Sequence, residues 1–103
     1  MDMYYLYVLY NPDSNSKQFY IGVTQNIQKR IKQHKEHKSL WTSKFGDWKF
    51  VYCEIYLTFE DAQNREMKLK NHGKGFSELK KRIKTSLEKV EGQKGAGLTV
   101  PHE

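Results

Sequence analysis

At 103 residues the chain holds enough material for one small domain, so most of its apolar side chains must serve a single core. A hydrophobic share of 37% excludes a wholly disordered chain, and eighteen Lys and Arg against twelve Asp and Glu leave a formal charge of +6, which suits a polyanionic partner. The single cysteine, Cys53, excludes an internal disulfide and a multi-thiolate zinc site, and no apolar run reaches the ~18 residues of a membrane span.

Tyr4 to Tyr10 is an aromatic and β-branched run, and Gln18 to Val23 is a second, parted from it by the polar stretch Asn11 to Lys17. The pair reads as a β-hairpin with a longish loop. From Asn26 to Lys38 the spacing becomes helical, with Ile27 and Ile31 as the apolar line and Thr24 or Asn26 as N-cap. Ser39 to Asp47 reads as a loop. Trp48 to Leu57 returns to strand character and carries Cys53, read as a small buried hydrophobe. Thr58-Phe59-Glu60-Asp61 is a capping pattern that opens a second helix through Asn71, and His72-Gly73-Lys74-Gly75 stops it. Leu79, Ile83, Leu87 and Val90 predict a third helix over Ser77 to Lys89. The order β-β-α-β-α-α predicts an α+β domain over 1–90, a three-stranded antiparallel sheet flanked by helices with the first strand central. Residues 91–103 read as a flexible tail. The start of the chain lacks the positive leading region of a signal peptide, and the cytoplasm is the expected address.

Several polar residues stand where a bland surface or core reading strains. At about 100° per residue Arg30 and His34 lie side by side along the buried seam of Ile27 and Ile31, where an uncompensated charge is costly. Glu66 projects within the face that Phe59, Ala62 and Leu69 make apolar. A carboxylate there must be paired, protonated or bound to a metal. A salt bridge, to Arg30 for example, and a metal site carry equal weight on these residues alone. Tyr7 and Tyr20 come from adjacent hairpin strands, and each alone is an ordinary strand residue. Lys29, Lys32 and Lys35, with Lys80, Lys81, Arg82 and Lys84, are solvated cations suited to phosphate contacts that read no bases.

Taken in order, Tyr5-Leu6-Tyr7, Tyr20-Ile21-Gly22, Val23-Thr24, Arg30, His34, Gly46-Asp47-Trp48 and Arg65-Glu66 resemble the motifs of the GIY-YIG nuclease domain, of the small stand-alone kind. Lys68-Leu69-Lys70, Gly73-Lys74-Gly75 and Leu79-Lys80-Lys81-Arg82 are also similar to stretches of such members, so the likeness runs from Tyr4 to Leu87. Tyr5 stands where the family's first motif opens with glycine, and Val23 where some repair members carry lysine; Asn71 is the nearby candidate for an asparagine that serves other members' sites. The resemblance implies a catalytic set of Tyr7, Tyr20, Arg30, His34 and Glu66. It implies that Glu66 holds one Mg²⁺ or Mn²⁺ with a substrate phosphate oxygen and waters, which accords with that ion's taste for oxygen ligands. It also implies that Tyr7 helps to deprotonate or position the attacking water, that Tyr20 orders the same network, that Arg30 stabilises charge on phosphorus and that His34 accepts a proton from Tyr7 or orients it.

The expected activity is metal-dependent hydrolysis of DNA phosphodiesters in repair, recombination or mobile-element processing. A binding module of the same fold without turnover is the alternative, and a protein whose polar cluster is only a buried network is a third. No zinc finger or helix-turn-helix accompanies the core, which favours selection by DNA structure or by a targeting protein partner over long base readout, with RNA an open substrate.

Overall fold

The computed structural model of the protein describes residues 1–12, 18–35 and 48–92, with the side chains of His34 and Lys35 outside that description. Residues 13–17 of the predicted turn, the end of the predicted first helix at 36–38, the loop at 39–47 with Gly46 and Asp47, and residues 93–103 of the predicted tail also lie outside the described residues, while Asn11 of that turn ends a strand and residues 91 and 92 of that tail end a helix.

Among the described residues seven elements follow in order: β1 (Tyr4–Asn11), β2 (Gln18–Thr24), α1 (Ile27–Lys35), β3 (Lys49–Tyr56), α2 (Phe59–Lys70), α3 (Lys74–Arg82) and α4 (Lys84–Gly92). The strands form one antiparallel sheet in the order β2-β1-β3, so the expected α+β class and central first strand hold. Centrality explains why the run from Leu6 to Tyr10 scarcely alternates in polarity. Side chains on both faces of β1 are covered, so both must be apolar or aromatic. Leu6 and Val8 join Ile21 of β2 and Leu69, Phe76, Leu79 and Ile83 of the following helices in one core layer. Tyr7 and Leu9 point the opposite way and pack with Trp48, with Tyr20, Ile27 and Phe50 around them. Helix α1 thus covers one face of the sheet and α2 with α3 covers the other.

Three expectations are corrected. The single third helix is two helices joined at Ile83, whose backbone leaves helical geometry (φ −106°, ψ 27°). The apolar period survives the bend because Ile83 N–H still donates to the Leu79 carbonyl and Leu87 N–H to that of Ile83, both at 3.0 Å. Burial of Ile83 against the sheet draws the chain inward there, and Lys74 and Gly75, read as a helix stop, belong to α3. Cys53 is exposed rather than buried, because it lies on an outer strand on the face opposite the α2 core layer.

Helix α2 starts where its sequence says: Thr58 is in extended geometry and its hydroxyl accepts from Asp61 N–H at 3.2 Å. What holds the helix against β3 is polar. Tyr52, Glu54 and Tyr56 alternate along the strand onto one face. Both tyrosine hydroxyls donate to the Glu54 carboxylate, at 2.6 and 2.5 Å, and Arg65 of α2 donates to it through Nε and Nη2 at 3.0 to 3.2 Å. Burial pushes the Glu54 carboxyl up, but the bonds from Arg65, Tyr52 and Tyr56 outweigh it and hold the carboxyl below the usual range.

Four of the seven tyrosines are raised. Burial, aided by Glu91, pushes Tyr10 up to about 12; burial, aided by Glu54, does the same to Tyr56 and raises Tyr52; burial and Tyr20 raise Tyr7. Folding therefore favours the protonated phenols, and that stabilisation is complete below the unfolded pKa of about 10 and is lost as pH rises through the folded values. The melting temperature is expected to fall between pH 9 and pH 11.5, and tyrosinate absorbance to develop partly with unfolding. Seven phenols ionising together near pH 10 with no change in melting would contradict this picture.

Candidate active site

The end of β2 launches α1. Thr24 Oγ1 accepts from Asn26 N–H at 3.1 Å, and Asn26 Oδ1 accepts from Lys29 N–H at 2.9 Å, so the two candidate caps act in series. One turn later Arg30 returns over the sheet. Its Nη1 donates to the Tyr7 hydroxyl at 2.9 Å, and its Cζ lies 5.9 Å from the Tyr7 ring centroid.

Tyr7 reaches that position because of what lies beneath it. In the β1–β2 register Tyr7 stands opposite Gly22, and a Cβ built on Gly22 would lie 2.6 Å from the Tyr7 oxygen and 2.7 Å from its Cζ. The glycine of Tyr20-Ile21-Gly22 is thus a gap that the phenol fills. Tyr20 stands on the same face, its ring 6.1 Å from that of Tyr7 at 29°, and the two hydroxyls are hydrogen-bonded. Tyr7 is fully buried. Burial first, then Tyr20, drives its phenol well above the ordinary tyrosine range, and Arg30 offsets only part of that. In this state Tyr7 keeps its proton and anchors Arg30.

Beside the anchored guanidinium a cavity of about 330 Å³ opens along β2, lined by Phe19, Tyr20, Ile21, Gly22, Val23, Arg30, Glu66, Lys70 and His72. It straddles the sheet edge, taking Arg30 from the helix on one face and Glu66, Lys70 and His72 from the helix end on the other. A second cavity of about 270 Å³ lies at the start of α1, lined by Thr24, Gln25, Asn26, Lys29, Arg30 and Gln33. Arg30 is common to both.

Glu66 sits at the border of the α2 seam, between buried Ala62 and Leu69 and the cavity, and its side chain is 21% exposed. Its ion-pair partner is Lys70 at 3.1 Å, one helical turn on, and not Arg30, whose guanidinium is held by Tyr7. The donor set suits a hard cation with few protein ligands: one carboxylate faces a roomy polar cavity, and among the described residues no three of His, Cys, Asp and Glu converge as a metal cage.

Of the five residues expected at the site, the structure brings Tyr7, Tyr20, Arg30 and Glu66 to one region, with Tyr7 behind the cavity wall. The backbone of His34 belongs to α1, but its side chain lies outside the described part, as does that of Lys35. Lys29 and Lys32 are exposed on α1; Lys80, Lys81, Arg82 and Lys84 are exposed on α3 and α4. Asn71 caps α2 and is not among the residues lining the cavity.

Lys70 and His72 were not anticipated. The four-residue step from Glu66 to Lys70 is a legible helical ion pair. His72 is hidden by its role as a helix stop. It follows the C-cap Asn71 and is the one described non-glycine residue with positive φ, 55°. That left-handed geometry costs a side-chain-bearing residue on the order of 1 kcal/mol, and glycine usually fills it.

These elements set an edge strand carrying Tyr-Ile-Gly between an arginine-bearing and a glutamate-bearing helix. In the family comparison residues 3–80 match the GIY-YIG catalytic domain, and the chain belongs to that family of nucleases, which implies a nucleic-acid substrate. It is 36% identical over 69 residues to a UPF0213 protein of Clostridium perfringens (strain 13 / Type A), covering 66% of this chain and 71% of that one. It is also similar to the solution NMR structure of a UPF0213 protein from Bacillus halodurans, at 24% identity and a TM-score of 0.44, over 94% of this chain and 99% of that one.

Gly22→Ala tests the packing at the heart of the site. Because Tyr7 has no room to retreat, the added methyl should cost about 1–3 kcal/mol of stability, typical of overpacking, and displace Arg30 from the cavity. Thermal melting reads the first effect and binding of a short duplex the second. An alanine variant that melts and binds like the unaltered protein would show that the close approach of Tyr7 to Gly22 is not a constraint.

Proposed function

We propose that the protein is an endonuclease that hydrolyses DNA phosphodiester bonds with the help of Mg²⁺ or Mn²⁺, selecting its target by DNA structure and not by extended sequence. The observation that carries this reading is the cavity at the β2 edge, where Arg30, fixed by Tyr7, faces the same space as the Glu66 carboxylate and the Tyr20 ring. A phosphate there meets a guanidinium that needs no reorganisation to bind it.

In this mechanism Arg30 binds a non-bridging phosphate oxygen and offsets the charge that grows on phosphorus during in-line attack. Tyr20 stands on the cavity side of the tyrosine pair and orients the attacking water. Tyr7, buried beneath it, holds both Tyr20 and Arg30 in place. Glu66 is the residue that would hold the divalent cation, with substrate and water oxygens completing its shell. The bound ion supplies Lewis-acid stabilisation of the phosphate oxygens. Lys70, half-exposed and on a flexible stem, exchanges its contact with Glu66 for a phosphate. The lysines of α1 and the basic run of α3 and α4 extend the positive field without reading bases.

One observation favours a binding module without turnover: Tyr7 holds its proton tightly and is out of reach of solvent. Incubation with labelled duplex, flap, fork and single-stranded DNA, and with RNA, under Mg²⁺, Mn²⁺ or chelator separates the two readings. Metal-dependent scission of one structured substrate is expected; binding to all of them with no scission would support the module.

Glu66→Gln sharpens the test. Its ion pair with Lys70 is a surface pair worth roughly 0.5 kcal/mol, so melting should barely move. Cleavage should fall by about 100-fold or more while DNA binding persists or tightens. A stable variant that cleaves at the original rate would remove Glu66 from the metal site.

A further inference from the structure

We propose that His72 is a catalytic acid of this site, giving a proton to the oxygen that leaves phosphorus. The proposal rests on the endonuclease reading above and assigns a residue which that reading leaves without a task.

Three observations converge on His72. It lines the cavity together with Arg30, Glu66 and Tyr20. It occupies, with φ 55°, the position after the α2 C-cap where glycine is the unstrained choice, although Gly73 is the next residue along the chain. Strain of this kind is tolerated where a side chain is needed at that point. Finally, its ring is seated. The His72 and Phe76 centroids are 4.9 Å apart at 67°; Phe76 is buried and meets Phe19 of β2 edge-on at 5.1 Å. An aromatic chain from β2 to α3 therefore fixes an imidazole that is itself exposed.

The chemistry follows from the layout of the cavity. In-line displacement places the entering and leaving oxygens on opposite sides of phosphorus. Tyr20 and Arg30 form the β2–α1 wall, and the water enters there. The leaving oxygen then faces the end of α2, where the proton donors are Lys70 and His72. Lys70 is engaged with a phosphate in the reading above, and imidazole is the side chain that trades protons most readily near neutrality. The water oxygen forms the new P–O bond and its released proton passes to solvent water, since Tyr7 keeps its own. The bridging P–O bond breaks, and the departing oxygen takes the imidazolium proton. His72 is left neutral and regains a proton from solvent.

The test uses the full chain and two DNA substrates, alike except that the leaving bridging oxygen is replaced by sulfur in one. Which bridging atom leaves is read from the product ends made by the unaltered protein. A thiolate departs without protonation, so the sulfur substrate has no need of an acid. His72→Ala is expected to cut the oxygen substrate about 100-fold or more slowly, within the range for loss of a general acid. It should cut the sulfur substrate within about threefold of the unaltered protein. His72→Gly, relieved of the left-handed side chain, should melt at the same temperature or higher and show the same split, which separates lost chemistry from lost folding. Equal slowing on both substrates, or full activity on the oxygen substrate, would overturn the assignment. If the unaltered protein cuts neither substrate, the endonuclease reading has failed and this proposal falls with it; if it cuts both and the variants show no split, only this proposal fails.

Discussion

The approach of the Tyr7 ring to the bare backbone of Gly22 is the contact on which the site depends. It is possible because glycine faces Tyr7 across the β1–β2 ladder, and it places the phenol oxygen where Arg30 reaches it at 2.9 Å. Three elements are pinned by one side chain: β1 carries it, β2 makes room for it, and α1 binds to it. A buried hydroxyl needs a partner, and a cation over a ring and hydroxyl gains from both, so each group satisfies the other's cost of burial. The same burial raises the phenol, which makes Tyr7 a scaffold for charge before any ligand is present.

The other half of the site comes from the opposite face. Because β2 is an edge strand, a helix on either face can bring residues to its rim without crossing the sheet. Helix α2 is held by Arg65, which points back to Glu54 and its two tyrosine donors, while the next residue, Glu66, points to the cavity. Neighbouring residues on a helix face roughly 100° apart, so one can be spent on docking and the other on the site. The half-buried pair of Arg65 and Glu54 is thus the counterpart of the Tyr7–Arg30 contact. One fixes the cation on its side of the edge, and the other fixes the carboxylate.

The hairpin, the central first strand and the placing of Tyr7, Tyr20 and Arg30 on one face were legible in the sequence, because strand alternation and the helical line of Ile27 leave few other arrangements. The start of α2 was legible because Thr58 and Asp61 carry a cap signature. What was not legible depends on partners distant in sequence or on backbone geometry. The bend at Ile83 keeps the apolar period, so periodicity cannot reveal it. The partner of Glu66 turned on whether Arg30 was free, and it is not, because Tyr7 holds it. The Tyr52, Glu54, Tyr56 alternation was present in the sequence, but its meaning needed Arg65 to arrive from α2. His72 read as punctuation, since a helix stop and a cavity residue look the same in one dimension.

Organisation of the site by the Tyr7 hydroxyl through Arg30 is tested most directly by Tyr7→Phe, which deletes one oxygen and keeps the ring over Gly22. Cleavage of a structured DNA substrate under Mg²⁺, measured beside thermal melting, is the measurement. A folded variant is expected, within about 1–2 kcal/mol of the original stability, whose cleavage falls by at least about 100-fold as Arg30 loses its anchor. A Phe variant that cleaves at the unaltered rate would contradict it.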